Sequence, residues 1–235
     1  MNLDYTAIFA QRGHAYHGAM QRQPDARNAE FDQLFAHVGV IPGQTVLDIP
    51  AGGGYLARRL PKDVHVSELE LSAGFTPDLR VVAADGDWGV GQFDHTVTLA
   101  GLHHIADQNG FIAHLARHTR KGGAIHIADV DKESWLHPFL DGFVGRYNIT
   151  GHEGKYLTRE SFTRIPGTTL IASEVRPCPW RFASREALLD FAADLFGLVK
   201  YPRAGLVREL APHISESKSE AVLDWKLRYV DLEVI

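Results

Sequence analysis

A glycine-rich turn between a strand pattern and a helical pattern constrains this chain most. The strand pattern covers 45–49 and the helical pattern covers 55–60. The turn between them contains Pro50, Ala51, Gly52 and Gly54. Because glycine has no Cβ, the backbone of such a turn can approach a ligand closely. The succession of strand, glycine turn and helix therefore predicts the nucleotide crevice of a parallel α/β sheet.

Asp48, at the end of the strand pattern, helps to distinguish the nucleotide. A dinucleotide would place its pyrophosphate at the helix N-terminus, where a nearby carboxylate is unfavourable. S-adenosylmethionine carries no phosphate but has a cationic ammonium and a sulfonium, which a carboxylate attracts. The spacing Gly52-x-Gly54-x-x-Ala57 also fits the dinucleotide fingerprint, so the turn alone leaves both cofactors open.

The segment 48–54 resembles motif I of the class I S-adenosylmethionine-dependent methyltransferases, whose usual form is Asp-x-Gly-x-Gly-x-Gly. Pro50 stands where the first glycine usually lies, which removes a backbone donor but leaves Gly52 and Gly54 in place. Three later segments resemble family landmarks in the same order, namely 92–94, 99–105 and 117–123. The resemblance spans about residues 40 to 130 and implies S-adenosylmethionine as the cofactor.

Strand patterns alternate with helical patterns along the chain, which predicts an α/β fold with a doubly wound sheet. The resemblance implies seven strands, mostly parallel with an antiparallel edge hairpin, an N-terminal helical cap and a helical insertion near the C-terminus. The expected strands are 45–49, 64–69, 79–84, 93–100, 124–128, 170–175 and 225–234. We expect a single domain over 1–235, with a cap at 1–40, a cofactor core at 41–130 and an acceptor-side half at 131–235.

Two acids at the end of the second strand are candidates for binding the cofactor ribose. A carboxylate at this place can accept hydrogen bonds from both ribose hydroxyls. The resemblance aligns Glu68 best with this role. If the second strand is aligned with the family in the alternative register, Glu70 takes the role instead. The acid that does not bind the ribose is expected to be a solvated surface residue.

The resemblance implies further cofactor contacts around the ends of strands three and four. Asp85 is expected to bind the adenine amino group, although it also fits a turn before Gly86. Trp88 is expected either to contact the adenine or to belong to the core. Tyr16, in an N-terminal segment similar to the family's cap, is expected to cover the methionine end or to pack the helix. The other expected cofactor contacts are Gly86, Asp87, Ala100 and Gly101.

Histidines supply the candidate catalytic groups, because an imidazole titrates near neutral pH and can accept a proton. His103 and His104 follow strand four, and His17 lies in the cap. A structural role for each is the alternative. Two adjacent imidazoles have the wrong spacing for one metal ion, so no metal site is expected. The polar segment 148–156 is interpreted as an acceptor-recognition loop or an exposed turn.

Composition restricts the partners. The chain has 235 residues and a formal net charge of -5, and its basic residues form no block, which disfavours nucleic acid. Cys178 is the sole cysteine, so an intrachain disulfide is excluded. No signal-like N-terminus and no apolar run of about 20 residues are present. We therefore expect a cytoplasmic protein without a membrane span; its oligomeric state stays open.

The expected function is methyl transfer to a small-molecule acceptor, with oxygen favoured because of the histidines. A protein or RNA methyltransferase is the second interpretation, but Gly101–His104 does not match the Asn/Asp-Pro-Pro motif of amide- and base-nitrogen enzymes. An NAD-dependent oxidoreductase and a non-catalytic cofactor-binding protein are alternatives of a different class. The sequence does not identify the acceptor.

Overall fold

The structure is a computed structural model that describes residues 4–235. Within them, seven strands form a sheet in the order β3-β2-β1-β4-β5-β10-β6. Strands β1 to β5 are parallel, whereas β10 is antiparallel to both of its neighbours. The strands are β1 (Thr45–Asp48), β2 (His65–Glu70), β3 (Arg80–Val81), β4 (Phe93–Leu99), β5 (Thr119–Asp129), β6 (Thr168–Pro177) and β10 (Lys226–Val234). The predicted doubly wound sheet with an antiparallel edge pair is confirmed.

Two strands differ from their predicted bounds by more than two residues at one end. β3 is shorter than expected, with Arg80–Val81 in place of 79–84. β5 begins at Thr119, before the expected position 124, because α3 (Gln108–Arg117) has already ended there. The segment 121–123 lies where the β4–β5 register shifts, and Gly122 takes a φ of +77°. The glycines thus form a bulge inside the strand and do not terminate the helix.

The helix predicted after the glycine turn is absent, and that expectation was wrong. Only one 3₁₀ turn, Ala57–Arg59, follows the loop. Leu60 is extended, with φ -100° and ψ 158°. Pro61 explains this, because the ring of a proline disfavours helical geometry at the preceding residue and the proline has no N–H. The crossover from β1 to β2, residues 49–64, therefore contains no α-helix.

The N-terminal cap consists of α1 (Tyr5–Arg22) and α2 (Asn28–Leu34), as expected. The Asp4 side chain accepts a hydrogen bond from the Ala7 amide and caps α1. α1 lies very close to the segment after β2, since a Cβ on Gly74 would be 1.9 Å from the Phe9 carbonyl oxygen. This contact fixes the cap helix across the carboxyl ends of the central strands.

The C-terminal half contains more β-structure than the sequence indicates. α6 (Arg185–Leu195) begins after Ser184, whose side chain accepts a hydrogen bond from the Ala187 amide and caps the helix. α7 (Arg203–Leu210) follows, but a second sheet of order β7-β9-β8 accompanies these helices in the described chain. Its strands are Trp180–Phe182, Ala221–Leu223 and Ile214–Glu216. The expected helical insertion therefore also includes a small antiparallel sheet.

The segment between β5 and β6 begins with a continuous helical stretch of mixed geometry. It consists of α4 (Leu136–Pro138), a π turn (Phe139–Val144) and α5 (Gly145–Tyr147). Leu136, Leu140 and Val144 are buried. This stretch leads into the polar loop 148–156 and holds that loop near the end of β4. No helix in the described part of the chain has both the length and the apolar character needed to cross a bilayer.

Candidate cofactor and acceptor site

The glycine turn takes the geometry that its residues require. Gly52 and Gly54 have φ values of +63° and +75°, a left-handed conformation that glycine adopts without strain. Asp48 is buried below the turn, and burial together with Glu68 and Glu70 raises the pKa of its carboxyl well above the usual value. A cationic ligand would therefore be attracted to Asp48, because its charge would favour the ionised carboxylate.

The turn lines a cavity, here called the inner cavity, at the carboxyl ends of β1 and β4. Seven of the residues expected to contact the cofactor meet there. They are Tyr16, Asp48, Pro50, Ala51, Gly52, Ala100 and Gly101. Gly101 lies close to Pro50, and a Cβ at Gly101 would be 2.9 Å from the Pro50 ring. A small residue is therefore needed at the end of β4.

Glu70 contacts residues that line the inner cavity, although neither Glu70 nor Glu68 lines that cavity itself. Glu70 Oε2 accepts a hydrogen bond of 2.7 Å from the Gly52 amide and one of 3.4 Å from the Tyr5 hydroxyl. Its neighbour Leu71 lines a second cavity on the far side of Tyr5. Glu68 instead lies below Gly54, where a Cβ would be 2.9 Å from its Oε2. Contact with the glycine turn thus favours Glu70 over Glu68 for the ribose, and the role of either acid stays a prediction.

Burial also affects the protonation of Glu70. Loss of solvent raises the pKa of its carboxyl to about 7, and hydrogen bonds from the Gly52, Leu71 and Ser72 amides act in the opposite direction. The group therefore titrates near neutral pH. Glu68 is less buried, and its pKa is raised by the same loss of solvent.

The second cavity, here called the outer cavity, is lined by Leu71, Ala84, Asp85 and Ile105. Asp85 is thus accessible from this cavity, and its expected bond to the adenine amino group stays a prediction. Gly86 and Asp87 form the following turn and do not line this cavity.

Trp88 lies in the core, which is the second of the two roles expected for it. Its side chain is fully buried and stacks on His114 at 4.1 Å between ring centroids. Its Nε1 donates a hydrogen bond of 2.9 Å to the Ala83 carbonyl.

A third cavity, here called the acceptor chamber, adjoins the inner cavity. Both are lined by Phe9, Tyr16, Arg27 and Ala100. The far wall of the chamber contains the aromatic side chains of Trp180, Phe196 and Trp225, which are all buried. The Trp180 and Trp225 rings stack at 3.9 Å between centroids. The chamber is therefore a small space of about 40 Å³ that is lined by buried aromatic, arginine and histidine side chains and shares part of its wall with the inner cavity.

Two buried arginines line the acceptor chamber, and they differ in their partners. Arg27 forms a salt bridge with Glu30 and donates to the Tyr16 hydroxyl. Arg12 donates only a 3.4 Å hydrogen bond to the Phe196 carbonyl, and its Nε has no partner in the described chain. Burial lowers the pKa of Arg12 to about 10, so the group stays charged at neutral pH. Among residues 4–235, Arg12 is thus a cation without a carboxylate partner.

A histidine cluster, here defined as His103, His104 and His152, lies between two cavities: His103 and His152 line the acceptor chamber, and His104 lines the outer cavity. His103 Nδ1 is 2.6 Å from Asp129 Oδ1, and His152 Nδ1 is 3.1 Å from Asp141 Oδ1. His104 is buried, and neither of its ring nitrogens has a hydrogen-bond partner among residues 4–235. Burial lowers the pKa of His104 well below the usual value and that of His152 to about 4. Both imidazoles are therefore neutral at physiological pH.

His17 lies outside the acceptor chamber. Its Nδ1 is 2.8 Å from the Tyr55 hydroxyl, and its Nε2 is 2.9 Å from the Gln21 amide. A Cβ on Gly53 would lie 2.1 Å from its ring, so His17 covers the outside of the glycine turn. The geometry does not support His17 as a base at the transferred group.

Several chamber residues were not identified from the sequence. Arg12, Trp180 and Trp225 gave no local signal, because they come from distant elements that meet only in the fold. His152 lies in the loop 148–156, which was recognised as polar and rich in functional groups but not connected with His103 and His104.

Comparison with known proteins relates both the sequence and the fold to methyltransferases. No family model matches the chain. A demethylmenaquinone methyltransferase of Beutenbergia cavernae is 32% identical over 130 residues, which are 50% of this chain and 52% of that protein. The match thus spans about half the length of each.

Solved structures with this fold align over most of the chain. A Thermotoga maritima S-adenosylmethionine-dependent methyltransferase superposes with a TM-score of 0.61 at 13% identity, covering 97% of this chain and 99% of that one. A Burkholderia thailandensis 1,6-didemethyltoxoflavin-N1-methyltransferase, bound to its acceptor and S-adenosylhomocysteine, gives 0.54 at 16% identity, with 94% and 84% covered. The chain therefore has the fold of the class I S-adenosylmethionine-dependent methyltransferases.

Proposed function

We propose that this protein transfers a methyl group from S-adenosylmethionine to an oxygen atom of a small-molecule acceptor. The observation that carries the proposal is the common wall of the inner cavity and the acceptor chamber. Phe9, Tyr16, Arg27 and Ala100 line both spaces. A donor in one and an acceptor in the other would be held in contact, and alignment of the reacting atoms is the main requirement of methyl transfer.

The residues of the inner and outer cavities fit this cofactor. Asp48 provides a buried carboxylate for the cationic methionine end, and Glu70 provides an acceptor for the ribose hydroxyls. Asp85 provides an exposed acceptor in the outer cavity for the adenine amino group. When bound, S-adenosylmethionine supplies a methyl carbon activated by the sulfonium. The absence of a helix behind the glycine turn agrees with a ligand that has no phosphate, because no helix N-terminus is available to bind one.

The acceptor chamber favours a planar molecule with an anionic oxygen. Its stacked Trp180 and Trp225 side chains offer flat apolar surfaces, and Arg12 offers a cation without a carboxylate partner. A buried charge without a partner is costly, so an acceptor carboxylate or ionised hydroxyl would bind Arg12 favourably. The names of the Beutenbergia cavernae relative and of the Burkholderia thailandensis enzyme also denote small organic acceptors.

The histidine cluster supports oxygen as the acceptor atom, because a hydroxyl must lose its proton during the transfer. His103 is the histidine best oriented to accept that proton directly. The Asp129 carboxylate can only accept a hydrogen bond, so it fixes the proton on Nδ1 and leaves the lone pair on Nε2. His104 and His17 remain weaker candidates, since His104 has no orienting partner and His17 lies outside the chamber.

The test is an activity assay with a panel of small aromatic hydroxy acids. The purified protein is incubated with S-adenosylmethionine, and both S-adenosylhomocysteine formation and the mass of the acceptor are measured. We expect one compound to gain a methyl group, whereas its O-methyl ether, as the matched control, should not. Methylation of an amino analogue in preference to every hydroxy compound would contradict oxygen as the acceptor atom. No turnover in spite of cofactor binding would contradict the methyltransferase assignment for this panel of acceptors.

A further inference from the structure

The histidine cluster has an arrangement that proton transfer alone does not require. His103, His104 and His152 each offer a ring nitrogen, and these three atoms all lie within 4.8 Å of one another. The ring centroids are 4.0 Å apart for His103 and His104, and 5.0 Å apart for His104 and His152. Three imidazoles thus converge from the end of β4 and from the loop 148–156.

Two of the three imidazoles are oriented by carboxylates. Asp129 holds His103 at Nδ1, and Asp141 holds His152 at Nδ1. A carboxylate that binds one ring nitrogen leaves the other as a lone pair, which is the usual support of a metal-ligating histidine. Asp129 is itself held by the amides of His103 and Val130, so the first of these supports is fixed by the backbone.

His104 supplies the independent observation that points to a ligand. A neutral imidazole has one N–H donor and one lone pair, and burying both without partners costs free energy. His104 is only 6% exposed, yet both nitrogens lack partners in the described chain. A metal ion among the three rings would give its lone pair a partner.

We propose that His103, His104 and His152 bind a divalent transition-metal ion, with zinc as the best match. Zinc accepts three histidines and keeps a fourth position for water or substrate, with Zn–N distances of about 2.0–2.1 Å. Tetrahedral bonds of this length place the nitrogens roughly 3.3 Å apart, so small side-chain rotations from the present separations are needed. Asp129 and Asp141 supply two negative charges behind the rings, which balance the ion.

The fourth position of the ion would face the acceptor chamber, because His103 and His152 line it. A hydroxyl bound to zinc has a lower pKa than a free hydroxyl, so it can release its proton to water and remain as the bound oxyanion. This consequence rests on the proposed function, whereas metal binding itself does not. Under this proposal His103 is a ligand, and its role as a direct base applies only to the metal-free protein.

No metal site was expected at His103 and His104, because two imidazoles that are adjacent in the sequence have the wrong spacing for one ion. The chain brings His152 to them from 48 positions beyond His104. The loop 148–156 is fixed near them by a hydrogen bond of 2.9 Å from the Lys155 amide to the His103 carbonyl. A third ligand from a separate element removes the spacing objection.

Metal content of the untagged protein tests the proposal directly. The protein is loaded with zinc, dialysed and measured by elemental mass spectrometry, and we expect about one ion per chain. Titration with Co²⁺ should give the visible absorption of a tetrahedral nitrogen-ligated site. Zinc affinity should fall at least a hundredfold in His152→Gln, and about ten- to hundredfold in Asp141→Asn, whose carboxylate only supports a ligand.

The matched control is His65→Gln, which removes an exposed histidine on β2 and should leave the zinc affinity unchanged. Binding of S-adenosylhomocysteine is measured on the same samples, so that a failure of the proposed function is recognised separately. Less than about a tenth of an equivalent of zinc in the wild-type protein would overturn the metal proposal. Equal zinc affinity of the wild type and His152→Gln would also overturn it, even if the cofactor binds normally.

Discussion

Replacement of Glu70 by glutamine provides a sharp test of the cofactor site. The substitution keeps the side-chain shape and one acceptor oxygen but removes the charge that would bind the ribose hydroxyls. A hydrogen bond to a charged group contributes about 1.5–3 kcal/mol, so the affinity for S-adenosylhomocysteine should fall about ten- to hundredfold. Glu68→Gln is the matched control, and we expect it to change the affinity less than about threefold, because Glu68 lies below Gly54.

The same residue predicts a pH dependence of binding. Burial raises the pKa of the Glu70 carboxyl to about 7, and the ribose hydroxyls would donate to its ionised form. Affinity should therefore be maximal above pH 7 and decrease below it, by about tenfold at roughly pH 6. The pKa of Asp48 is also raised, so only the difference between the wild type and Glu70→Gln is assigned to Glu70.

Isothermal titration between about pH 6 and pH 8 measures both effects. The wild-type affinity should fall with acid more steeply than that of Glu70→Gln. Unchanged affinity in Glu70→Gln combined with weaker binding in Glu68→Gln would refute Glu70 as the residue that binds the ribose. Equal pH profiles for the wild type and Glu70→Gln would refute the titration of Glu70 in this range.

Three other substitutions test separate parts of the account. Gly54→Val should abolish S-adenosylhomocysteine binding in a titration, because φ is +75° and the new Cβ would lie 2.9 Å from Glu68 Oε2; normal binding would contradict this. Gly74→Ala should lower stability by about 1–3 kcal/mol, measured by denaturant unfolding, because its Cβ would meet the Phe9 carbonyl; an unchanged midpoint would refute the close packing of α1. Trp88→Phe should lower the melting temperature but leave cofactor affinity intact, and weaker binding at full stability would restore its adenine role.

The fold could be predicted because the information that determines it is local. Val46, Leu47 and Val97 are fully buried in adjacent parallel strands, and such strands appear in the sequence as apolar runs separated by helices. The missing helix after the glycine turn shows the limit of this reasoning. An apolar pattern indicated a helix at 55–60, but Pro61 restricted the backbone before it and the turn stayed short.

The choice between Glu68 and Glu70 could not be made from the strand pattern. Residues two apart project from the same face of a strand, so both acids fit the alternation equally. The two acids differ in their distance from the end of the strand. The Glu70 carboxylate accepts a hydrogen bond from the Gly52 amide, whereas the Glu68 carboxylate lies next to Gly54. Trp88 was ambiguous for a similar reason, since its partners His114 and His118 come from a different element.

The acceptor side was the least predictable part of the site. Asp48, Gly52 and Gly54 belong to one continuous segment, whereas the acceptor chamber combines α1, the end of β4, the loop 148–156 and the second sheet. Arg12 and Trp180 meet there although 168 positions separate them. Such contacts depend on tertiary packing, which single-sequence patterns do not contain.

Cofactor identity is the central claim, and one titration tests it most directly. The purified protein is titrated calorimetrically with S-adenosylmethionine and, in parallel, with NADH under identical conditions. We expect one S-adenosylmethionine bound per chain and no heat from NADH, because Asp48 lies buried at the glycine turn and no helix N-terminus follows it. Saturable binding of NADH without any binding of S-adenosylmethionine would contradict S-adenosylmethionine as the cofactor.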